Sequence, residues 1–181
     1  MVGDSIVVVD YDSGWPESFL QLGACLRAAL GPLALRIDHI GSTSVPGLAA
    51  KPVLDVQVSV AALEPVAAYL PALEAAGFCW RPANDDRMKR YFREATGPRT
   101  HLHVRAAGSW SEQFALLMRD YLRASPAEAA RYAARKRALA ARLGQDRQAY
   151  TDAKGPFIWA LMARADAWAQ ACGWAPGPSD A

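Results

Sequence analysis

Phe19, Leu22, Leu26 and Leu30 recur at helical spacing behind the turn signal Asp12-Ser13-Gly14 and Pro16. Gly31-Pro32 ends the run, so the pattern predicts a helix over 15–30 with its apolar stripe in the core. Ahead of it, 6–9 is a short β-branched run. Behind it, 33–40 and 53–60 read as strands, while 41–52 holds too many Gly, Ser, Thr and Pro residues for either regular element. A second helix is predicted over 63–76, with a kink or break at Pro71 and a stop at Gly77. Three extended stretches follow, 78–81, 88–93 and 100–105, separated by Asn84-Asp85-Asp86 and Thr96-Gly97-Pro98, and they suggest antiparallel strands completing the sheet. From Ser109 onward the period is helical, and Ser125-Pro126-Ala127-Glu128 reads as a capping box with proline at the first helical position.

This pattern implies an α+β fold, with a small mixed β-sheet and a helical C-terminal third. One domain is expected over 1–174 and a frayed tail over 175–181. A length of 181 residues, 52% of them apolar, supports one sizeable core. A formal charge of +2 excludes polyanion binding by bulk charge, so phosphate recognition has to be local. The stretch 119–147 is locally basic, but it lacks interleaved aromatic platforms and reads as a solvated helix face, which argues against nucleic acid. Trp110, Trp159 and Trp168 fall where amphipathic helices pack and read as core or boundary residues. Cys25, Cys79 and Cys172 fit neither a disulfide framework nor a metal spacing, and no stretch of eighteen apolar residues occurs, so a soluble, cytoplasmic protein is expected.

Chemistry concentrates at three places. Gly41 and Ser42 end one strand and open a loop whose backbone N–H groups, with Thr43 and Ser44, can face phosphate oxygens; Lys51 adds a charge. Asp55 and Gln57 then share one face of the next strand, where the carboxylate can hold a divalent cation against a nucleoside triphosphate. A carboxylate between Leu54 and Val56 in a buried strand is costly unless paired, hydrogen-bonded or bound to metal. His101 and His103 also share a strand face, either as two polar residues turned to solvent or as metal ligands. His39, two residues before the Gly-Ser pair, makes a set of His39, Asp55 and His103 conceivable as metal ligands. Oxygen ligands alone suit Mg or Mn, whereas imidazole shifts the preference towards Mn, Zn or Fe. Arg90, Lys154, Lys136 and Tyr150 have reach for phosphate if they face the cleft, although each reads as an ordinary surface residue when taken singly.

Val9-Asp10-Tyr11-Asp12 with Trp15-Pro16, and then 39–52 with Asp55, closely resemble the GrpB family. The likeness continues through His101-Leu102-His103-Val104, through 117–123, and through Tyr150-Thr151-Asp152-Ala153-Lys154 with Phe157-Ile158, covering nearly the whole chain. The resemblance implies a minimal nucleotidyltransferase-like fold, in which a Gly-Ser pair precedes a strand with two alternating acids and a third acid lies on a neighbouring strand. Gly41, Ser42 and Asp55 match that pattern; Gln57 stands in place of the second acid, and the strand of His101 and His103 in place of the third.

The expected function is binding of a nucleoside triphosphate with a divalent metal, and transfer of a nucleotidyl or phosphoryl group to a small molecule or protein. In that reading Asp55, Gln57, His101 and His103 are catalytic. Two other readings stand beside it. One is a non-catalytic, nucleotide-sensing or folding-accessory domain with a protein partner, as the related domain fused behind some bacterial dephospho-CoA kinases implies. The other is a His/Asp metal-dependent enzyme acting without nucleotide. No membrane partner is expected.

Overall fold

The computed structural model describes residues 5–181, so the first four residues of the domain expected over 1–174 lie outside it. The first helix, α1 (Trp15–Leu30), has the expected bounds: proline occupies its first turn, Trp15, Phe19, Leu26 and Leu30 are buried, and Gly31 at φ 52° turns the chain out of the helix. Strand β1 (Arg36–Ile40) starts later than predicted, because Gly31–Leu33 forms a 3₁₀ turn first. β2 (Leu54–Val60) follows the long loop. The second helix shrinks to α2 (Leu70–Ala75). Pro71 explains the correction: lacking an N–H, it fits the first helical turn, where no donor is needed, and not a helix interior.

Strands β3 (Phe78–Trp80), β4 (Arg90–Glu94) and β5 (Thr100–Ala106) complete the sheet. Helices α3 (Trp110–Ala124), α4 (Pro126–Leu143) and α5 (Arg147–Cys172) make the C-terminal third, so the α+β expectation holds. Residues 6–9 form no full strand: Val9 and Ala50 make an isolated bridge with backbone bonds of 2.9 and 3.0 Å, and the Ile6 N–H donates to the Gly144 carbonyl at 2.8 Å. The capping box forms at a different place from the one expected. Ser109 accepts from the Glu112 N–H and Glu112 takes the Gly108 N–H at 2.6 Å, whereas Ser125 makes no side-chain cap and Glu128 is drawn to Arg131 and Arg164. No helix among the described residues is long and apolar enough to cross a membrane.

The sheet order is β1-β2-β5-β4-β3, with β2 and β5 parallel and every other pair antiparallel. Side chains alternate across a strand. Val56, Val58, Leu102, Val104 and Phe92 therefore point to one face and join α1 and α2 in a continuous core. Asp55, Gln57, His101 and His103 point to the other. A second core seats the loop residues Val45, Leu48 and Ala49 among Tyr121, Leu122, Tyr132 and Leu161 of the helical third. The loop between β1 and β2 is thus clamped between sheet and helices. Arg119, read as part of a solvated face, is only 3% exposed and joins Asp38, Asp120 and Asp180.

The tail expected to fray is held in place. Asp180 accepts from the His39 N–H at 2.9 Å and from Arg119 at 2.8 Å, and the Ala181 N–H donates to the Ile37 carbonyl at 3.1 Å. Of the three tryptophans read as core or boundary residues, Trp168 packs against the second core, whereas Trp110 and Trp159 are each 60% exposed and stack on one another with centroids 6.2 Å apart.

Candidate functional site

The site begins with a glycine. Gly41 ends β1 at φ 69°, in the left-handed region, and a Cβ added there would lie 2.6 Å from Asp55 Oδ2. The missing side chain is the space the carboxylate occupies. Register brings the other groups to it: Asp55 is opposite His101 on β5, and Gln57 is opposite His103. Asp55 Oδ1 lies 3.0 Å from His101 Nδ1 and 3.4 Å from His103 Nε2. One ligand atom from each of the three falls within 4.8 Å of the others.

Charge state fits the same geometry. Burial disfavours the ionised form of Asp55, but hydrogen bonds from His101 and His103 outweigh it and hold the carboxyl well below the usual range. Burial pushes His103 down to about 4 against the pull of Asp55, so its imidazole is neutral at pH 7. An ionised carboxylate and neutral imidazole are the forms that bind a cation. Two imidazoles and one carboxylate suit Mn, Zn or Fe better than Mg. His103 Nδ1 is buried with no hydrogen-bond partner among the described residues.

The other expected site residues divide. His39 pairs with Val56 and therefore lies on the opposite face of the sheet, stacked on Phe19 at 4.8 Å with Nε2 3.0 Å from Thr43 Oγ1. The histidine that joins Asp55 and His103 is His101, and His39 cannot reach them. Arg90 pairs with Val104, also on the far face, where Glu64 holds its guanidinium. Thr43 is buried against His39, and the Ser44 hydroxyl donates to the Gly41 carbonyl at 2.6 Å; both shape the loop instead of facing a ligand. Gln57 is fully buried, and its Oε1 accepts from the Arg105 guanidinium. Where a second carboxylate would hold a second cation, this chain puts a neutral amide and a fixed positive charge.

Ser42 is where the phosphate reading meets the helices. Lys136 of α4 reaches across to its hydroxyl at 2.8 Å and also donates to the Ala49 carbonyl. Burial, then repulsion from Lys154 and Arg137, brings the Lys136 ammonium down to about 7. Lys51 and Lys154 lie 5.5 and 4.9 Å from the Tyr150 ring centre, and burial lowers both, Lys51 to about 8. Three lysines thus converge within the electrostatic reach of one carboxylate, Asp55, which favours the charged form of each.

Lys136, given reach for phosphate but read singly as an ordinary surface residue, does face the loop. The signal was present: Ala129, Tyr132, Ala133, Lys136 and Leu139 recur at helical spacing, which places the lysine on the buried side of α4. Arg105 and Tyr91 were missed for a different reason. Their place depends on strand register, which puts Tyr91 opposite His103 with ring centres 5.4 Å apart.

A family model described as GrpB protein matches residues 5–164. The UPF0157 protein BH1888 of Halalkalibacterium halodurans is 38% identical over 90% of this chain and 84% of its own length. A dephospho-CoA kinase of Mycolicibacterium paratuberculosis is 33% identical over 93% of this chain, which spans 48% of that protein. Among solved structures, conserved protein GrpB from Enterococcus faecalis is similar with a TM-score of 0.80 at 32% identity, covering 88% of this chain and 96% of that one.

Proposed function

Because the chain belongs to the GrpB family, we propose that it binds a nucleoside triphosphate together with one divalent cation and transfers a nucleotidyl group from it to a small acceptor. The observation that carries this reading is the convergence of Asp55, His101 and His103 beside a Gly41-Ser42 turn that Lys136 already engages. Asp55, His101 and His103 would hold the cation, which when bound would draw charge from the phosphate oxygens. Ser42, Lys136 and Lys154 would take the negative charge of the triphosphate tail. In the transfer, an acceptor oxygen forms a bond to the α-phosphorus as the bond to the β-phosphate oxygen breaks. Pyrophosphate leaves beside the lysines, and the acceptor proton passes to solvent.

A second reading, nucleotide binding without transfer, is favoured by Gln57 and Arg105, because one carboxylate is a poor scaffold for two cations and a guanidinium repels the second. A thermal-shift panel of nucleoside triphosphates with Mg, Mn and Zn, run on wild type and Asp55→Ala, tests the binding common to both readings. The expected result is a metal-dependent rise in Tm that Asp55→Ala abolishes; an equal rise in both proteins removes Asp55 from the site. Release of pyrophosphate in the presence of candidate acceptors then separates transfer from binding.

A further inference from the structure

Six buried polar side-chain atoms have no hydrogen-bond partner among the described residues, and five of them belong to the cleft face of the sheet and the helix over it: Gln57 Nε2, Ser59 Oγ, His103 Nδ1, Arg105 Nε and Glu112 Oε1. Register sets out the rows. Asp38, Gln57 and His103 lie side by side across β1, β2 and β5, and Arg36, Ser59 and Arg105 form the next row on the same face. Helix α3 covers them. Its Arg119 meets Asp38 at 3.5 Å, and Glu112, seven positions earlier, shares that side of the helix. The Glu112 carboxylate lies near enough to favour the charged forms of both Arg36 and Arg105, the two residues that flank Ser59. Gln57 and Ser59 are fully buried, and Glu112 is 1% exposed.

From this geometry we infer that ordered water bridges these atoms, and that Ser59 and Glu112 are positioning residues which hold the His103 ring through that water, with Nε2 left free to ligate a cation. The inference rests on the proposed cation for the word ligate, and on the unpartnered atoms alone for the water. His103 turns Nε2 towards Asp55 Oδ1, 3.4 Å away. A neutral imidazole carries one proton, so an Nε2 that gives its lone pair to a metal leaves the proton on Nδ1, and a buried Nδ1–H needs an acceptor. Metal-ligating histidines donate that proton to a carboxylate, a backbone carbonyl or water. Gln57, the neighbour in register, does not supply the acceptor, because its Oε1 accepts from Arg105 and its Nε2 is a donor. In this row the unpartnered groups are therefore donors, and the unpartnered acceptors are Ser59 Oγ in the next row and Glu112 Oε1 on the helix above. Glu112 Oε2 already accepts from the Gly108 N–H at 2.6 Å, which leaves Oε1 for the bridge. Water accepts two hydrogen bonds and donates two, so it joins the two sets, and buried water typically makes about three bonds to groups of this kind.

The test is the tautomer of His103, read from the imidazole nitrogen NMR shifts of the metal-free protein and assigned through the signals lost in His103→Gln. It is run on wild type, Glu112→Ala, Glu112→Gln and Ser59→Ala, each followed by calorimetric titration of Zn. Ser59→Ala deletes one hydroxyl and leaves the Glu112 contact at the start of α3 in place, so its effect on the ring is separate from any loss of the helix start. Wild type is expected to carry the proton on Nδ1. Glu112→Ala and Ser59→Ala should each move His103 towards the Nε2–H form, and Glu112→Ala should weaken Zn binding about tenfold or more. Glu112→Gln, whose side-chain oxygen still accepts, should keep most of the wild-type tautomer and affinity. A role confined to stability would lower Tm in the variants and leave the tautomer unchanged, and that result overturns the inference. An Nε2–H tautomer in wild type overturns it too, as does a crystal structure that resolves solvent and shows no water bonded to His103 Nδ1. Failure of wild type to bind Zn, with a tautomer that still depends on Glu112 and Ser59, removes the cation reading and leaves the water bridge standing.

Discussion

The two faces of the sheet are built from alternate residues of the same strands, and they do opposite work. Val56, Val58, Leu102, Val104 and Phe92 face α1 and α2 and are essentially inaccessible to water. Asp55, His101 and His103 face the cleft and stay half-buried. The lesson is sharpest in the histidines. Burial brings both His39 and His103 down to about 4, so the direction of the shift does not tell them apart. The face does. His39 lies flat on Phe19 with its ring nitrogen on Thr43, whereas His103 meets a carboxylate. A perturbed imidazole is a site residue only when the strand register gives it a partner of the right chemistry.

The largest effect belongs to the covered face. Leu102→Ala removes a fully buried side chain between two residues of the cluster. It should cost roughly 2–5 kcal/mol of unfolding free energy, read from the denaturant midpoint. Metal and nucleotide affinity at native conditions should change little, because the histidines on either side hang from the backbone of β5. A small loss of stability with a large loss of metal binding would mean that the faces are not separable.

The histidines give the next effect in size. His103→Ala should weaken Mn or Zn binding by about ten- to a hundredfold, or 1.4–2.8 kcal/mol. His39→Leu should leave metal affinity unchanged and lower stability by about 1 kcal/mol through the lost bond to Thr43. Parallel metal titrations of the two variants decide it; equal losses would erase the distinction between the faces.

The smallest expected effect concerns pH. Lys136 has an ordinary value near 10.5, and burial brings it to about 7 in the folded chain. Between those limits the unfolded chain keeps a proton that the folded chain has lost, so this group makes folding more favourable as pH rises from about 7 towards 10.5. Anion binding runs the other way, because phosphate needs the ammonium. Affinity for pyrophosphate should fall up to about tenfold between roughly pH 6 and pH 8, and Lys136→Met should flatten that slope. An unchanged slope in the variant would place the titrating cation elsewhere.

Much of this was legible in the residue order. The bounds of α1 follow from its apolar stripe and from the proline and glycine at its ends. Asp55 declared itself as a carboxylate inside a buried strand, and His101 and His103 as partners by their spacing of two. The rest depended on pairing between segments distant in the sequence. Only the antiparallel match of His39 to Val56 sends that histidine to the far face, and only the match of Arg90 to Val104 does the same for the arginine. Arg105 shows the limit most plainly. Nothing in the order of residues says that its guanidinium will bind Gln57, 48 positions away, yet that bond puts a positive charge beside the position where the family pattern has a second acid.

The docked tail bears on assembly. A sheet's outer strands carry unpaired backbone groups, and another chain can extend the sheet by pairing with them. Here Ser179, Asp180 and Ala181 occupy the backbone groups of Ile37 and His39 on the free side of β1. At the opposite margin, β3 is only three residues long. The sheet is therefore blunted at both ends, by a self-supplied stopper on one side and by brevity on the other. Joining two such molecules through strand addition would first require lifting the stopper.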